Sequence, residues 1–307
     1  QIVRSIIEAT AREGWKRPVY FSVTSGDEYA GLYPFCVQQG MAYRVMPVPG
    51  GNGRMDIEAT KGALLGALEG DEYTVEPKRA FKFRGLADRS VSLLGQDDHR
   101  RPINLFYHQI FLTLAEQMIY FENDPAGAVE VLDKMIALVP PDRAGPPVPY
   151  GEVYSFYIRI AELYQDAGAA EKAKTWATQA LDELARIGSY PRGGYGGQDI
   201  PPAMAQAKGL SISGQHDQAL NLLDQMLAQQ PNDQNAQLER DAVRIWKALA
   251  AGDTTAAFAR ADHVVSVHQR PTFFRLARTD PVGVNPKRMG QSLLAAHMDG
   301  PVRRGGN

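Results

Sequence analysis

A few groups of residues have the types and spacing to do chemistry. Gly50, Gly51 and Gly53 follow a strand-like segment and precede a helix-like one. That is the placement of a phosphate-binding turn, where backbone amides and a helix N-terminus receive an anion. The loop lacks the Lys-Ser/Thr of a nucleotide loop and the spaced glycines of a dinucleotide fingerprint, so a plain strand-to-helix turn is the expected reading and anion binding the lesser one. Asp97, Asp98 and His99 offer oxygen and nitrogen donors to a metal. Adjacent residues seldom converge on one ion, and a solvated loop whose acids sit ahead of a helix, favoured by its dipole, is the expected reading. His263 and His268 are five apart, not the four of a helical metal pair, and His108, His216 and His297 have no neighbour at ligand spacing. Cys36 sits among Pro34, Phe35 and Val37 and reads as a buried, inert thiol on a helix. Tyr154, Phe156, Tyr157 and Tyr164 can line a groove or fill a helix–helix core. The sequence contains no Gly-x-Ser-x-Gly elbow, no Asp-x-Asp pair and no Asn-x-Ser/Thr acceptor. No catalytic residue, metal or cofactor is expected from this inventory.

Composition narrows the classes further. The chain has 33 Lys/Arg against 35 Asp/Glu, a net charge of −2, so it lacks the basic field of a nucleic-acid binder. The exception is the tail, residues 271–307, where six basic side chains against two acidic ones leave +4. A single cysteine excludes a disulfide framework and leaves the redox compartment open. No run approaches the ~18 apolar residues of a membrane span, and the start shows no signal-peptide pattern. The first residue is Gln1, and apolar residues at Ile2, Val3, Ile6 and Ile7 already follow helical spacing. A fragment or a processed product is therefore expected.

Two regions with different grammar position these groups. Residues 1–98 read as a small α/β domain. A helix over 2–13 ends at Gly14, and residues 17–24 read as a strand. A helix over 29–39 closes at Gly40, residues 42–48 form a second strand, and 56–68 a further helix. The segment between the strands is long enough for a helical crossover, which predicts a parallel pair. Short strands at 73–75 and 81–83 are an open choice. Residues 99–270 read as helix throughout. A turn-forming residue recurs five positions before an alanine: Asn123 and Ala128, Gly168 and Ala173, Gly214 and Ala219, Gly252 and Ala257. Four positions above each turn residue come Ile119, Tyr164, Leu210 and Ala248, and four after each alanine come Leu132, Ala177, Leu223 and Ala261. Pro140 and Pro231 close two of the units. Small residues let paired helices approach, and glycine relieves the turn between them. Residues 271–307 are a basic Pro/Gly-rich extension with one short helix expected over 290–298.

The spaced alanines and glycines resemble the tetratricopeptide repeat, best in residues 154–184, although the alanine spacings of 45, 46 and 38 exceed that repeat's ~34 residues. A second resemblance rests on Gly14-Trp15-Lys16-Arg17-Pro18-Val19-Tyr20-Phe21 followed by Gly40-Met41-Ala42-Tyr43-Arg44-Val45-Met46-Pro47-Val48. It is similar to the C-terminal part of a bacterial family of multi-spanning membrane proteins of unknown function that resemble protein O-mannosyltransferases of the glycosyltransferase-C type. The resemblance covers residues 1–140 in order and the later repeats in style. It implies a lipid-linked-sugar transferase whose catalytic acid lies in a membrane part absent from this sequence, so no catalytic residue carries over. It also implies that this part faces the periplasm or cell exterior.

The expected fold class is thus α+β/α: a small N-terminal α/β domain followed by a tetratricopeptide-like array of about four helix pairs. The expected function is a non-catalytic, extracytoplasmic protein- or glycan-binding module of a membrane glycosyltransferase. Its partners would be an acceptor protein or glycan and the missing membrane domain, with no nucleic acid. Tyr154, Tyr157, Tyr190, Arg192 and Tyr195 are the candidate binding residues, because sugar rings stack on aromatics and inter-repeat loops carry binding. A self-associating secreted scaffold is the first rival, since repeat ends can stack into filaments. An enzyme using the Gly50–Gly53 loop for a phosphorylated ligand is the second.

Overall fold

Ile2–Arg12 folds as helix α1, as its apolar spacing predicts. Val3, Ile7 and Thr10 turn inward, while Ile2 and Ile6 stay exposed. Gly14 and Trp15 both adopt positive φ, and the Trp15 amide donates back to the Thr10 carbonyl at 2.9 Å, which ends the helix. The turn delivers Trp15 to a small core around Cys36 and Val45, shared with Ile7, Val19, Phe21, Phe35 and Tyr43. The structure is a computed structural model and describes residues 2–25, 31–51, 53–65, 86–88, 90, 103–144, 153–187 and 200–268.

Three short strands follow: β1 (Tyr20–Ser22), β2 (Cys36–Gln39) and β3 (Ala42–Val45). The sheet order is β1-β3-β2 and both pairings are antiparallel, with Phe21 opposite Tyr43 and Gln38 opposite Tyr43. This corrects two expectations. The segment read as a helix over 29–39 is instead a 3₁₀ turn, Tyr33–Phe35, leading into β2. Gly40 is not a helix terminator. It is the first central residue of a two-residue hairpin turn between Gln39 and Ala42, with φ +62°, the place where such a turn favours glycine. With a strand between them, β1 and β3 need no crossover, and the predicted parallel pair does not form. The N-terminal part is therefore α+β rather than α/β.

Helix α2 (Ile57–Leu65) lies on β2. Thr60 is fully buried, and its hydroxyl accepts the Gly40 amide at 3.0 Å, fastening the hairpin to the helix. Helix α2 also contacts α3 (Gln109–Gln117) and α4 (Pro125–Leu138). Helix α3 is preceded by a π-helical segment, Ile103–His108, and followed by another, Met118–Glu122. A four-residue helix α5, Pro141–Ala144, comes next. These elements fall in one compact unit, residues 1–148.

The second unit, residues 149–307, contains α6 (Val153–Asp166), α7 (Ala170–Ile187), α8 (Pro202–Ile212), α9 (His216–Gln229), α10 (Gln234–Ala250) and α11 (Thr254–His268). Each helix contacts the next, and α6, α8 and α10 also touch in sequence. The three tight turns share one geometry. Gly168, Gly214 and Gly252 have φ of 77°, 82° and 77°, and the following amide donates to the carbonyl of Tyr164, Leu210 and Ala248. Those are the residues four above each glycine. Ala173, Ala219 and Ala257 are buried, as are Ala177, Leu223 and Ala261. The Asn123 turn in the first unit differs by one residue. Its closing bond runs from Asp124 to Met118 rather than to Ile119, because the π-helical turn holds one extra residue. Among the described residues, no helix is long and apolar enough to cross a membrane.

Candidate interaction face

The glycine loop fails as an anion cradle, because its donors are already engaged. The amides of Gly50 and Gly51 both donate to the Pro34 carbonyl at 2.9 Å, and that of Gly53 donates to the Cys36 carbonyl at 2.8 Å. The N-terminus of α2 is capped by Asp56, whose carboxylate accepts the Ala59 amide at 3.0 Å and the Gln39 side-chain amide at 2.9 Å. A carboxylate thus sits where a phosphate would approach. The loop is a plain turn with a close backbone contact: a Cβ on Gly51 would collide with the Cys36 carbonyl oxygen.

Cys36 is fully buried at the start of β2, not on a helix, and its thiol donates to the Leu32 carbonyl at 3.3 Å. Burial raises its pKa, the opposite of what a nucleophile needs. His108 is also fully buried, with Nε2 2.7 Å from the Val139 carbonyl, which ties the entry of α3 to the end of α4. Desolvation pulls its pKa down to about 4 against the opposing pull of that carbonyl, so it is neutral. Among the described residues no three His, Cys, Asp or Glu side chains group as a metal site. Asp97, Asp98 and His99 lie outside the described residues.

The candidate aromatics separate. Tyr154 is 1 % exposed and packs with Ile158, Ala180 and Ala205. Its hydroxyl donates to the Ile200 carbonyl at 2.9 Å, while the Ile200 amide donates to Ser155 Oγ at 3.2 Å. Together these two side chains hold the entry to α8, so Tyr154 is a core and positioning residue with no ring face left for a ligand. Tyr157 is half-buried, its ring 5.2 Å from that of Trp176 at an angle of 58°. The structure does not bring these two together on one open surface. Tyr190, Arg192 and Tyr195 lie outside the described residues.

A different set of side chains comes together across α6, α8 and α10. Lys208 Nζ donates to Glu162 Oε1 at 2.8 Å and to Glu239 Oε2 at 2.5 Å. Arg159 lies 3.5 Å from the other Glu162 oxygen. The side chains of Arg159 and Glu162 are 13 % exposed, and those of Lys208 and Glu239 18 %. Burial alone disfavours the Lys208 charge, but the two carboxylates outweigh it and hold its pKa above the ordinary lysine value. Sequence reasoning missed this cluster, although a signal was there. Glu162 and Lys208 both stand six residues before their turn glycines, Gly168 and Gly214, so the repeat frame already placed opposite charges at one position of neighbouring helices.

Comparison with known proteins adds no relative: no family model, no curated protein and no solved structure matches the chain.

Proposed function

We propose that this chain is a non-catalytic interaction module, a tetratricopeptide-like array that presents the side of its first helices to an acceptor protein or glycan. The observation that carries this reading is the common turn at Gly168, Gly214 and Gly252. The same turn follows α6, α8 and α10, and α8 touches both α6 and α10, which supports a repeated helix pair with a face shared by these three helices. Stacked helix pairs of this kind form extended surfaces suited to extended partners. We further propose that the module belongs to an extracytoplasmic part of a membrane-embedded transferase resembling protein O-mannosyltransferases. Support for that comes from the two sequence motifs, residues 14–21 and 40–48.

The test is a pull-down of Ser/Thr-rich acceptor peptides, with and without attached mannose, by the full chain. Retention of either peptide is expected, together with a monomer by light scattering. Absence of binding together with scattering that grows over time would replace this reading with the self-assembling scaffold.

A further inference from the structure

We propose that Lys208 is a conformational tie that fixes the spacing of three successive helix pairs. Its ammonium sits on α8 and takes a carboxylate from each side, Glu162 on α6 and Glu239 on α10. The two carboxylates belong to the first helices of pairs one and three of the second unit, so one charge spans the whole set. Met204, Ala207 and Leu210 of α8 pack in an apolar cluster with α9 and α10, and Tyr154 and Ser155 hold its entry, so the tie adds a polar constraint to apolar contacts already in place. Ala205, Ala207 and Gly209 are small residues at these contacts, and Lys208 is the only charged residue of α8. Apolar contact across small side chains is non-directional and tolerates sliding and rotation. Two charge-assisted hydrogen bonds to one largely buried ammonium add a constraint, because a shift that takes either carboxylate out of reach leaves a buried charge unpaired. The low exposure of all three side chains also shields the tie from salt.

Buried ion pairs add little net stability compared with apolar side chains of similar volume, because desolvating the charges offsets their attraction. Stability and geometry should therefore separate. The experiment measures the distance between nitroxide labels on Thr175→Cys in α7 and Thr255→Cys in α11, both exposed positions of the full chain. Buried Cys36 does not compete for label. The parent is expected to give one narrow distribution. The triple variant Glu162→Leu, Lys208→Met, Glu239→Leu is expected to melt at or above the parental temperature with a distribution at least twice as wide. The parental distance and width in the triple variant would overturn the proposal. Should the triple variant not fold, the pair Glu162→Gln and Glu239→Gln removes the charge attraction while keeping acceptor oxygens. The same broadening is expected there, and a parental distribution in that pair overturns the tie equally.

Discussion

His108 shows how burial decides what a residue does. In sequence it stands nine positions after His99, itself preceded by two Asp residues, and only the fold reveals that it is sealed between α3 and the end of α4. The consequence is a pH dependence with a definite sign. The folded pKa of about 4 lies below the ordinary 6.5, so between those values the unfolded chain binds a proton that the native chain refuses. Stability from this group is complete above pH ~6.5 and declines as the pH falls toward 4. Between pH 7 and 5 the loss is about 2 kcal/mol, since each tenfold difference in proton affinity between the two states is worth about 1.4 kcal/mol. Urea titrations at the two pH values should show that loss in the parent and little of it in His108→Gln. An equal loss in both would assign the acid sensitivity elsewhere. Gly51 gives a second residue-level expectation. Its Cβ would meet backbone, the Cys36 carbonyl carbon and oxygen, rather than a flexible side chain. Gly51→Ala should lower stability by roughly 1–3 kcal/mol, the cost of overpacking a tight site, and thermal melts would detect it.

At the scale of elements, the helical region was legible and the sheet was not. Recurring small residues with a fixed offset from a turn specify helix pairs, because the turn geometry and the buried alanine depend on the same few positions. That is why Gly168, Gly214 and Gly252 and their alanines fall where the spacing put them. The misread segment, residues 29–39, is short enough that its spacing also accommodates a turn followed by a four-residue strand. Its strand identity is set by pairing with β3 and by the Gly40 hairpin, which are non-local facts. The Asn123 turn keeps the frame at Ile119, Ala128 and Leu132, all buried, and differs only in its closing bond, because a π-helical turn has the same residue types as an α-helical one. The turns lead to a contrast. Gly214 has φ +82° and nothing within 4 Å of an added Cβ, so Gly214→Ala should cost only the backbone penalty, ~1 kcal/mol. Asn123 holds the same left-handed conformation, at φ 55°, with a side chain, so Asn123→Gly should be neutral or stabilising by a few tenths of a kcal/mol. Chemical denaturation of the two variants should move in opposite directions or leave Asn123→Gly unmoved. A loss of ~1 kcal/mol in Asn123→Gly would show that its side chain has a structural role beyond permitting the turn.

At the scale of the whole molecule, the candidate site was less legible than the fold. The sequence exposes aromatics as types but not their burial, so Tyr154 looked available when its ring faces the core. Charges 31 residues apart, Lys208 and Glu239, become partners only once the pairs stack. The chain divides into units of residues 1–148 and 149–307, and each carries buried residues of its own, Phe111 and Leu132 in the first, Ala219 and Leu223 in the second. Units with separate cores unfold in separate steps unless they are coupled. Calorimetry of the full chain is therefore expected to show two transitions, and variants can assign them. His108→Gln belongs to the first unit and Gly214→Ala to the second, so each should shift one transition and leave the other in place. A single transition, moved by either variant, would mean that the two units melt as one cooperative block.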